Sequence, residues 1–283
     1  MGCSERRKSV MKPKNIKIRI PEGFSLKGRI AIVTGGAGLI GPHFVEALVE
    51  AGARVAILDL DEEKSKQVAS QIVRRLKLPV SRIVCYRADV TVRKDVETAV
   101  AAIIHRWKHI DILVNAVMAV GPNFYDSLES YTEETWNLVM RCNVWGPFLC
   151  MQIVSRYMKK RREGVIVNIG SMYGMVAADQ RIYGDTGINS PASYAASKAA
   201  VIQLTRYAGV YFAPYGIRVN AISPGGVYNG HKTSFLKEYA NRTPSGCMID
   251  PQELKGALIY LVSPSASSVT GHNLVVDGGW TAW

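Results

Sequence analysis

Tyr194 and Lys198 stand four residues apart in Tyr194-Ala195-Ala196-Ser197-Lys198, a spacing that sets both side chains on one face of a helix. An ammonium beside a phenol favours the phenolate, so Lys198 is expected to lower the Tyr194 pKa towards neutrality. A phenol tuned in this way can pass a proton to or from an alcohol or carbonyl oxygen. The pair also occurs on ordinary helix surfaces, so its meaning depends on what accompanies it. Far upstream, Thr34-Gly35-Gly36-Ala37-Gly38-Leu39-Ile40-Gly41 follows the apolar run 30–33 and precedes an amphipathic stretch at 42–51. Strand, glycine turn and helix in that order let the backbone approach a pyrophosphate at a helix N-terminus. Gly36, Gly38 and Gly41 match G-x-G-x-x-G in the right surroundings. A second apolar run, 55–58, ends in Asp59, eighteen residues after Gly41. A carboxylate there can accept hydrogen bonds from a ribose diol and repels a 2′-phosphate. Neither Leu60 nor Asp61 supplies a cation beside it, so the pattern favours NAD over NADP.

These residues need a scaffold, and the alternation of patterns supplies one. Further strands are expected at 82–87, 111–114, 165–169, 217–222 and 273–276, with helices at 96–106, 135–158 and 191–212. Seven strands separated by helical segments predict an α/β fold: a single-domain, doubly wound parallel sheet with helices on both faces. No linker or internal repeat interrupts the chain after residue 30, which points to a basic, flexible tail at 1–25 and one catalytic domain at 26–283.

The formal charge of +12 is concentrated at the start, where residues 1–30 carry +7 of it. The rest is ordinary for a soluble enzyme and argues against nucleic acid as a partner. No apolar run reaches the length of about 18 residues that a membrane span needs. The five cysteines form no C-x-x-C pair, which suggests reduced thiols and a cytoplasmic location. The tail has no apolar segment of secretory type. Gly2-Cys3 hints at acylation, but Arg6 stands where the pattern wants a hydroxyl. His105 and His109 share a helical face without a third ligand, so no metal site is expected.

With these motifs in order, the sequence resembles the short-chain dehydrogenase/reductase family from about residue 26 to the C-terminus. The landmarks are the 34–41 turn, Asp89, Asn115-Ala116, Asn143, Ser171, Tyr194 with Lys198, Pro224-Gly225 and the terminal Val276-Asp277-Gly278-Gly279. The resemblance implies a catalytic tetrad of Asn143, Ser171, Tyr194 and Lys198. Tyr194 would move the proton and Ser171 would hold the same oxygen, while Lys198 would bond the nicotinamide ribose and Asn143 would hold a water behind the lysine. It also implies a dinucleotide bound by Gly35, Ala37, Gly38, Leu39, Ile40 and Gly41, by Asp59 and Leu60, by Asp89 and Val90, and by Asn115 and Ala116. Tyr194, Lys198, Pro224, Gly225, Val227 and Asn229 complete that set.

Several positions depart from the family pattern. Leu39 replaces the usual middle glycine of the turn. Val117 stands where a glycine is common and is expected to crowd the cofactor floor. Asn229 replaces a threonine. The 23-residue step from Ser171 to Tyr194 is longer than the family's usual spacing, and its ends are both catalytic. This insertion and the segment 228–241, expected as a mobile lid, should form the selectivity surface. Its polarity suits a sugar, sugar acid or polyol, and the insert resembles gluconate 5-dehydrogenase-like members of sugar-modification pathways. The expected activity is NAD(H)-dependent interconversion of a secondary alcohol and a ketone. Two alternatives stay open: a nucleotide-sugar epimerase or dehydratase of the extended branch, and a non-catalytic cofactor sensor. By the same resemblance the chain assembles as a homotetramer or homodimer through helices 135–158 and 191–212 and the C-terminal strand.

Overall fold

The computed structural model describes residues 21–283; residues 1–20, and with them most of the basic tail, lie outside the described residues. All seven apolar runs form strands: β1 (Ile30–Thr34), β2 (Arg54–Asp59), β3 (Ile83–Arg87), β4 (Ile112–Asn115), β5 (Gly164–Ile169), β6 (Ile217–Pro224) and β7 (Asn273–Val276). They pair in parallel in the order β3-β2-β1-β4-β5-β6-β7. Eight helices accompany them among the described residues: α1 (Gly41–Glu50), α2 (Glu62–Arg75), α3 (Arg93–Trp107), α4 (Glu133–Met140), α5 (Gly146–Arg161), α6 (Ala192–Phe212), α7 (Thr233–Arg242) and α8 (Leu254–Val262).

Successive strand residues point to opposite faces, and the core divides accordingly. Ala31 and Val33 of β1 join a cluster with Phe44 and Leu48 of α1, Ile72 of α2 and Leu258 of α8. Ile30 and Ile32 join the other cluster, with Ile103 of α3, Val154 of α5 and Phe212 of α6. β1 is buried on both faces, as a central parallel strand should be. The chain winds one way from β1 through β3 and the other way from β4 onward, which opens a crevice beyond the strand ends where the direction reverses.

The expected single helix over 135–158 is instead α4 and α5 joined by a π-helical turn, Arg141–Trp145. There the Gly146 N–H donates to the Arg141 carbonyl, five residues back. The extra residue is spent on Asn143, whose side chain is thereby turned into the protein, as π turns often do at functional positions. Helices α2 and α8 were not singled out by the sequence. α2 is well marked all the same: the Asp61 side chain accepts from the Lys64 N–H at 2.9 Å, glutamates fill its first turn and arginines its last, in keeping with its dipole.

At the edge of the sheet far from the crevice, buried Asp111 gathers charge. It accepts from the Ile30 N–H at 2.7 Å, from Arg161 at 3.0 Å and from Arg29 at 3.3 Å. His109 Nε2 also lies 3.2 Å from Asp111, so this histidine has a structural partner. The 3-10 turn Glu22–Phe24 is pinned by the Ser265 hydroxyl, which donates to the Gly23 carbonyl at 2.8 Å.

Candidate active site

The register of the sheet brings the sequence motifs to one edge. Thr34 lies beside Leu58 and Asn115, Asn115 beside Asn168, Asn168 beside Ala221, and Pro224 beside Val276. Beyond these strand ends opens a cleft of about 670 Å3. Gly35, Ala37, Gly38, Leu39, Ile40, Asp59, Leu60, Asp89, Val90 and Ala116 line one part of it. Ser171, Tyr194, Lys198, Pro224, Gly225, Val227 and Asn229 line the remainder.

At the first part, the backbone itself shapes the wall. Gly35 has φ +68°, a left-handed conformation that favours glycine. A Cβ on Gly41 would stand 2.2 Å from the Gly35 carbonyl oxygen, so α1 can begin this close to β1 only with glycine there. No side chain caps the α1 N-terminus. The Asp59 carboxylate accepts from the Ala37 N–H at 3.0 Å and from the Asp61 N–H at 3.2 Å. It therefore steadies the glycine turn and keeps acceptor capacity for a diol. A close-approach glycine turn, an uncapped helix start and a carboxylate at the end of β2 together fit a dinucleotide. Leu39 and Leu60 are exposed beside it.

Three expected site residues sit behind the cleft wall. Gly41 packs under the turn. Asn115 Nδ2 donates to Asn168 Oδ1 at 2.8 Å, and Asn168 Nδ2 donates to Thr205 Oγ1 at 2.9 Å. Asn115 thus supports the backbone of Ala116 rather than facing the cleft, and its Oδ1 is buried without a partner. Asn143, 1% exposed, accepts from the Ala119 N–H at 3.0 Å and donates to Ser197 Oγ at 3.1 Å. Its side chain ties the loop after β4 to α6, one residue before Lys198.

At the chemical end, the Ser171 hydroxyl lies near that of Tyr194 and favours its ionised form, and the Tyr173 N–H donates to Ser171 Oγ at 3.2 Å. Lys198 is buried, with Nζ 5.7 Å from the centre of the Tyr194 ring and donating to the Ile169 carbonyl at 2.8 Å. The expectation that the Tyr194 pKa falls towards neutrality is corrected here. Burial raises the phenol pKa, opposed only in part by the Ser171 hydroxyl, and the same burial pushes Lys198 down to about 8. Removing both groups from water penalises both charges at once. Around neutrality the site therefore holds a neutral phenol and an ammonium, the protonation state of a proton donor to a carbonyl. Cys142 also reaches the cleft, but burial pushes its thiol up to about 11, so it is no nucleophile.

The insertion is ordered into two 3-10 segments, Met172–Gly174 and Gln180–Thr186. Gln180 clamps the far end, donating to the Ser190 carbonyl at 3.1 Å and accepting from its N–H at 3.0 Å. The segment expected as a lid is largely helix α7, because Phe235 and Tyr239 recur one turn apart and bury against the insertion. Arg242 Nε lies 3.3 Å from Asp179 Oδ2 across that joint. The Asp179 carboxyl is held down to about 2, chiefly by the Arg181 guanidinium. Insertion, α7 and Trp280 thus share a third apolar cluster, separate from the two on the sheet. Tyr173, Tyr183, Asn189, Ser190 and His231 line the cleft here, and the motif reading assigned none of them. Their only trace in the sequence is the length and aromatic content of the insertion and, for His231, its place in the segment 228–241. His231 Nδ1 accepts from the Asn229 N–H at 3.2 Å, and burial lowers its pKa. In the neutral ring its proton therefore sits on Nε2. Val117 shares the cleft wall but also packs into the lower core.

Residues 36–281 match the family described as enoyl-(acyl carrier protein) reductase. The chain is 35% identical over 263 residues to an NAD-dependent glycerol dehydrogenase from Listeria innocua, covering 91% of this chain and 96% of that one. It is 36% identical over 269 residues to a galactitol 2-dehydrogenase (L-tagatose-forming) from Cereibacter sphaeroides, covering 92% and 98%. Among solved structures, a gluconate 5-dehydrogenase from Burkholderia cenocepacia in complex with NADP and tartrate superposes with a TM-score of 0.82 at 32% identity, covering 93% of this chain and 98% of that one.

Proposed function

The chain belongs to the short-chain dehydrogenase/reductase family, and on that premise we propose that its cleft interconverts a secondary alcohol and a ketone on a sugar, sugar acid or polyol. The observation that carries this reading is a single continuous cleft that takes in Gly35, Ala37 and Asp59 as well as Ser171, Tyr194 and Lys198. The similarity to glycerol and galactitol dehydrogenases supports the substrate class.

In this reading Gly35, Ala37, Gly38, Leu39 and Ile40 hold the pyrophosphate side of a dinucleotide, with Gly41 setting the approach of α1. Asp59 takes the adenosine ribose diol, with Leu60, Asp89, Val90 and Ala116 around the base and linker. Pro224, Gly225, Val227 and Asn229 close the nicotinamide end. A nicotinamide held there would supply the acceptor for the carbinol hydride, or the donor for the ketone. The chain's own task is the proton and the oxygen that carries it. Ser171 fixes that oxygen by donating to it as charge develops. Tyr194 gives its proton to the ketone oxygen in reduction and takes it back in oxidation. Lys198, protonated below about pH 8, favours the phenolate once Tyr194 has given up its proton. Asn143 holds α6 and the loop at Ala119 in register, which fixes Lys198. NAD is the preferred nucleotide in this reading because Asp59 faces the diol and would repel a 2′-phosphate. Homotetramer or homodimer formation in the cytoplasm is part of the same proposal, supported by the exposed Trp145, Phe148 and Tyr207 on the outer helices. Among the described residues no helix is long and apolar enough to cross a membrane.

The test is a screen of polyols, sugar acids and nucleotide sugars with NAD, read as net NADH formation. Polyols or sugar acids should yield NADH; conversion of a nucleotide sugar with no net NADH would replace this reading by an epimerase. Tyr194→Phe should cost about 10²–10⁴-fold in kcat while NADH still binds, measured by its fluorescence. Asp59→Ala should raise KM for NAD roughly tenfold and narrow the preference over NADP. An unchanged NAD/NADP ratio would reduce Asp59 to a brace for the glycine turn.

A further inference from the structure

The insertion carries a second set of hydroxyls to the cleft. Tyr173 and Tyr183 come from its two 3-10 segments and Ser190 from its far end, and all three line the cleft wall. The hydroxyls of Tyr173 and Ser190 lie near that of Tyr183 and partly offset the rise that burial gives its pKa. Its ring is fixed against Phe235 of α7, with centroids 5.3 Å apart, and Tyr173 meets Trp280 edge-on at 6.4 Å. Ser190 is held at its backbone by Gln180. The cluster is therefore built and braced, and does not consist of loose side chains.

Hydrogen-bond capacity then decides what the cluster can do. A phenol has one proton and two lone pairs. A neutral Tyr183 therefore has one proton to give to an oxygen in the cleft. Burial raises the pKa of both tyrosines, so both stay protonated through the physiological range. Tyr173 and Tyr183 line the same cleft as Tyr194 and are within electrostatic reach of it, so this donor shares the cleft with the group that handles the reacting oxygen. Asn189 of the same wall is held in place by its Nδ2, which donates to the Asp126 carbonyl at 3.0 Å. A substrate hydroxyl is an oxygen that can accept the Tyr183 proton.

We propose that Tyr183 is a specificity-determining residue that donates to the substrate hydroxyl next to the reacting carbinol, so that the cleft selects vicinal diols and α-hydroxyketones over lone alcohols and ketones. This rests on the alcohol–ketone reading above. It adds that the recognition comes from the insertion and not from the tetrad.

Butane-2,3-diol and butan-2-ol differ by the one hydroxyl in question, and both can be oxidised with NAD. The wild-type protein should favour the diol in kcat/KM, and Tyr183→Phe should erase about tenfold of that preference while butan-2-ol oxidation stays within about twofold. Phe retains the ring that packs on Phe235, and an unchanged melting temperature checks this. Equal losses on both alcohols, or an unchanged diol/alcohol ratio, would overturn the role of Tyr183 alone and leave the alcohol–ketone reading standing. A wild-type protein that oxidises no alcohol with NAD would overturn both.

Discussion

The two ends of the cleft are made in different ways. The nucleotide end is main chain: strand ends in register, a left-handed glycine, and a helix that starts against a carbonyl oxygen. Behind it lies one of the two clusters that hold the sheet together. The substrate end is side chain: Tyr173, Tyr183, Phe235, Tyr239 and Trp280 come from three segments far apart in the sequence and pack on each other as a cluster of their own. Main-chain geometry is shared with the whole fold, so changes at the first end propagate into the core. Rings and hydroxyls on 3-10 turns can be exchanged without moving a strand. The first end is therefore suited to one invariant ligand, and the second to varying its ligand on a constant frame.

Gly41→Ala attacks that contrast where it is strongest. The new Cβ would meet the Gly35 oxygen at 2.2 Å and Gly36 Cα at 2.7 Å. Both are backbone and neither can rotate away, so α1 or the glycine turn must shift. We expect a loss of about 3 kcal/mol or more, a fall in melting temperature of roughly 6–12 °C, and loss of NADH binding. A melting temperature within about a degree of wild type would show that this end also yields, and the contrast between the two ends would fall.

The same difference decides what could be read from the sequence. Ile30 to Val33, Asp59 and the glycine turn announce themselves because main-chain constraints force residue types: buried parallel strands must be apolar, and a close approach must be glycine. The five inner strands were legible for that reason, and the half-buried edge strands β3 and β7 from their own apolar runs. The π turn at Asn143 was not, because a one-residue change of helical phase leaves no mark in the hydrophobic pattern over 135–158. Asn115 was correctly placed at the end of β4, but which way its amide turns depends on Asn168 and Thr205, which are distant in sequence. The sign of the Tyr194 shift was missed because a four-residue spacing fixes proximity to Lys198 and says nothing of burial, which acts on both groups. At the substrate end, the length of the insertion marked the place, while the presence of Tyr183 and His231 in the cleft wall depends on α7 packing against it.

The smallest expected effect is on the joint between the insertion and α7. Arg242 reaches Asp179 at 3.3 Å across it, and Asp179 is otherwise engaged by Arg181 of its own segment at 2.8 Å. Arg242→Ala removes the polar link and leaves the ring contact of Tyr183 with Phe235 in place. An exposed ion pair contributes little to global stability, so the melting temperature should not move. KM for butane-2,3-diol should rise about threefold, the scale of a pair worth several tenths of a kcal/mol, with KM for NAD unchanged. Asp179→Asn should cost at least as much, because it also weakens the Arg181 pair, and adding Arg242→Ala to it should cost nothing more, since the shared link is already gone. Salt screens such a pair, so the wild-type KM should climb towards that of the variants as ionic strength rises. A change in KM for NAD, or fully additive single variants, would mean that the joint does not act on the substrate end separately from the nucleotide end.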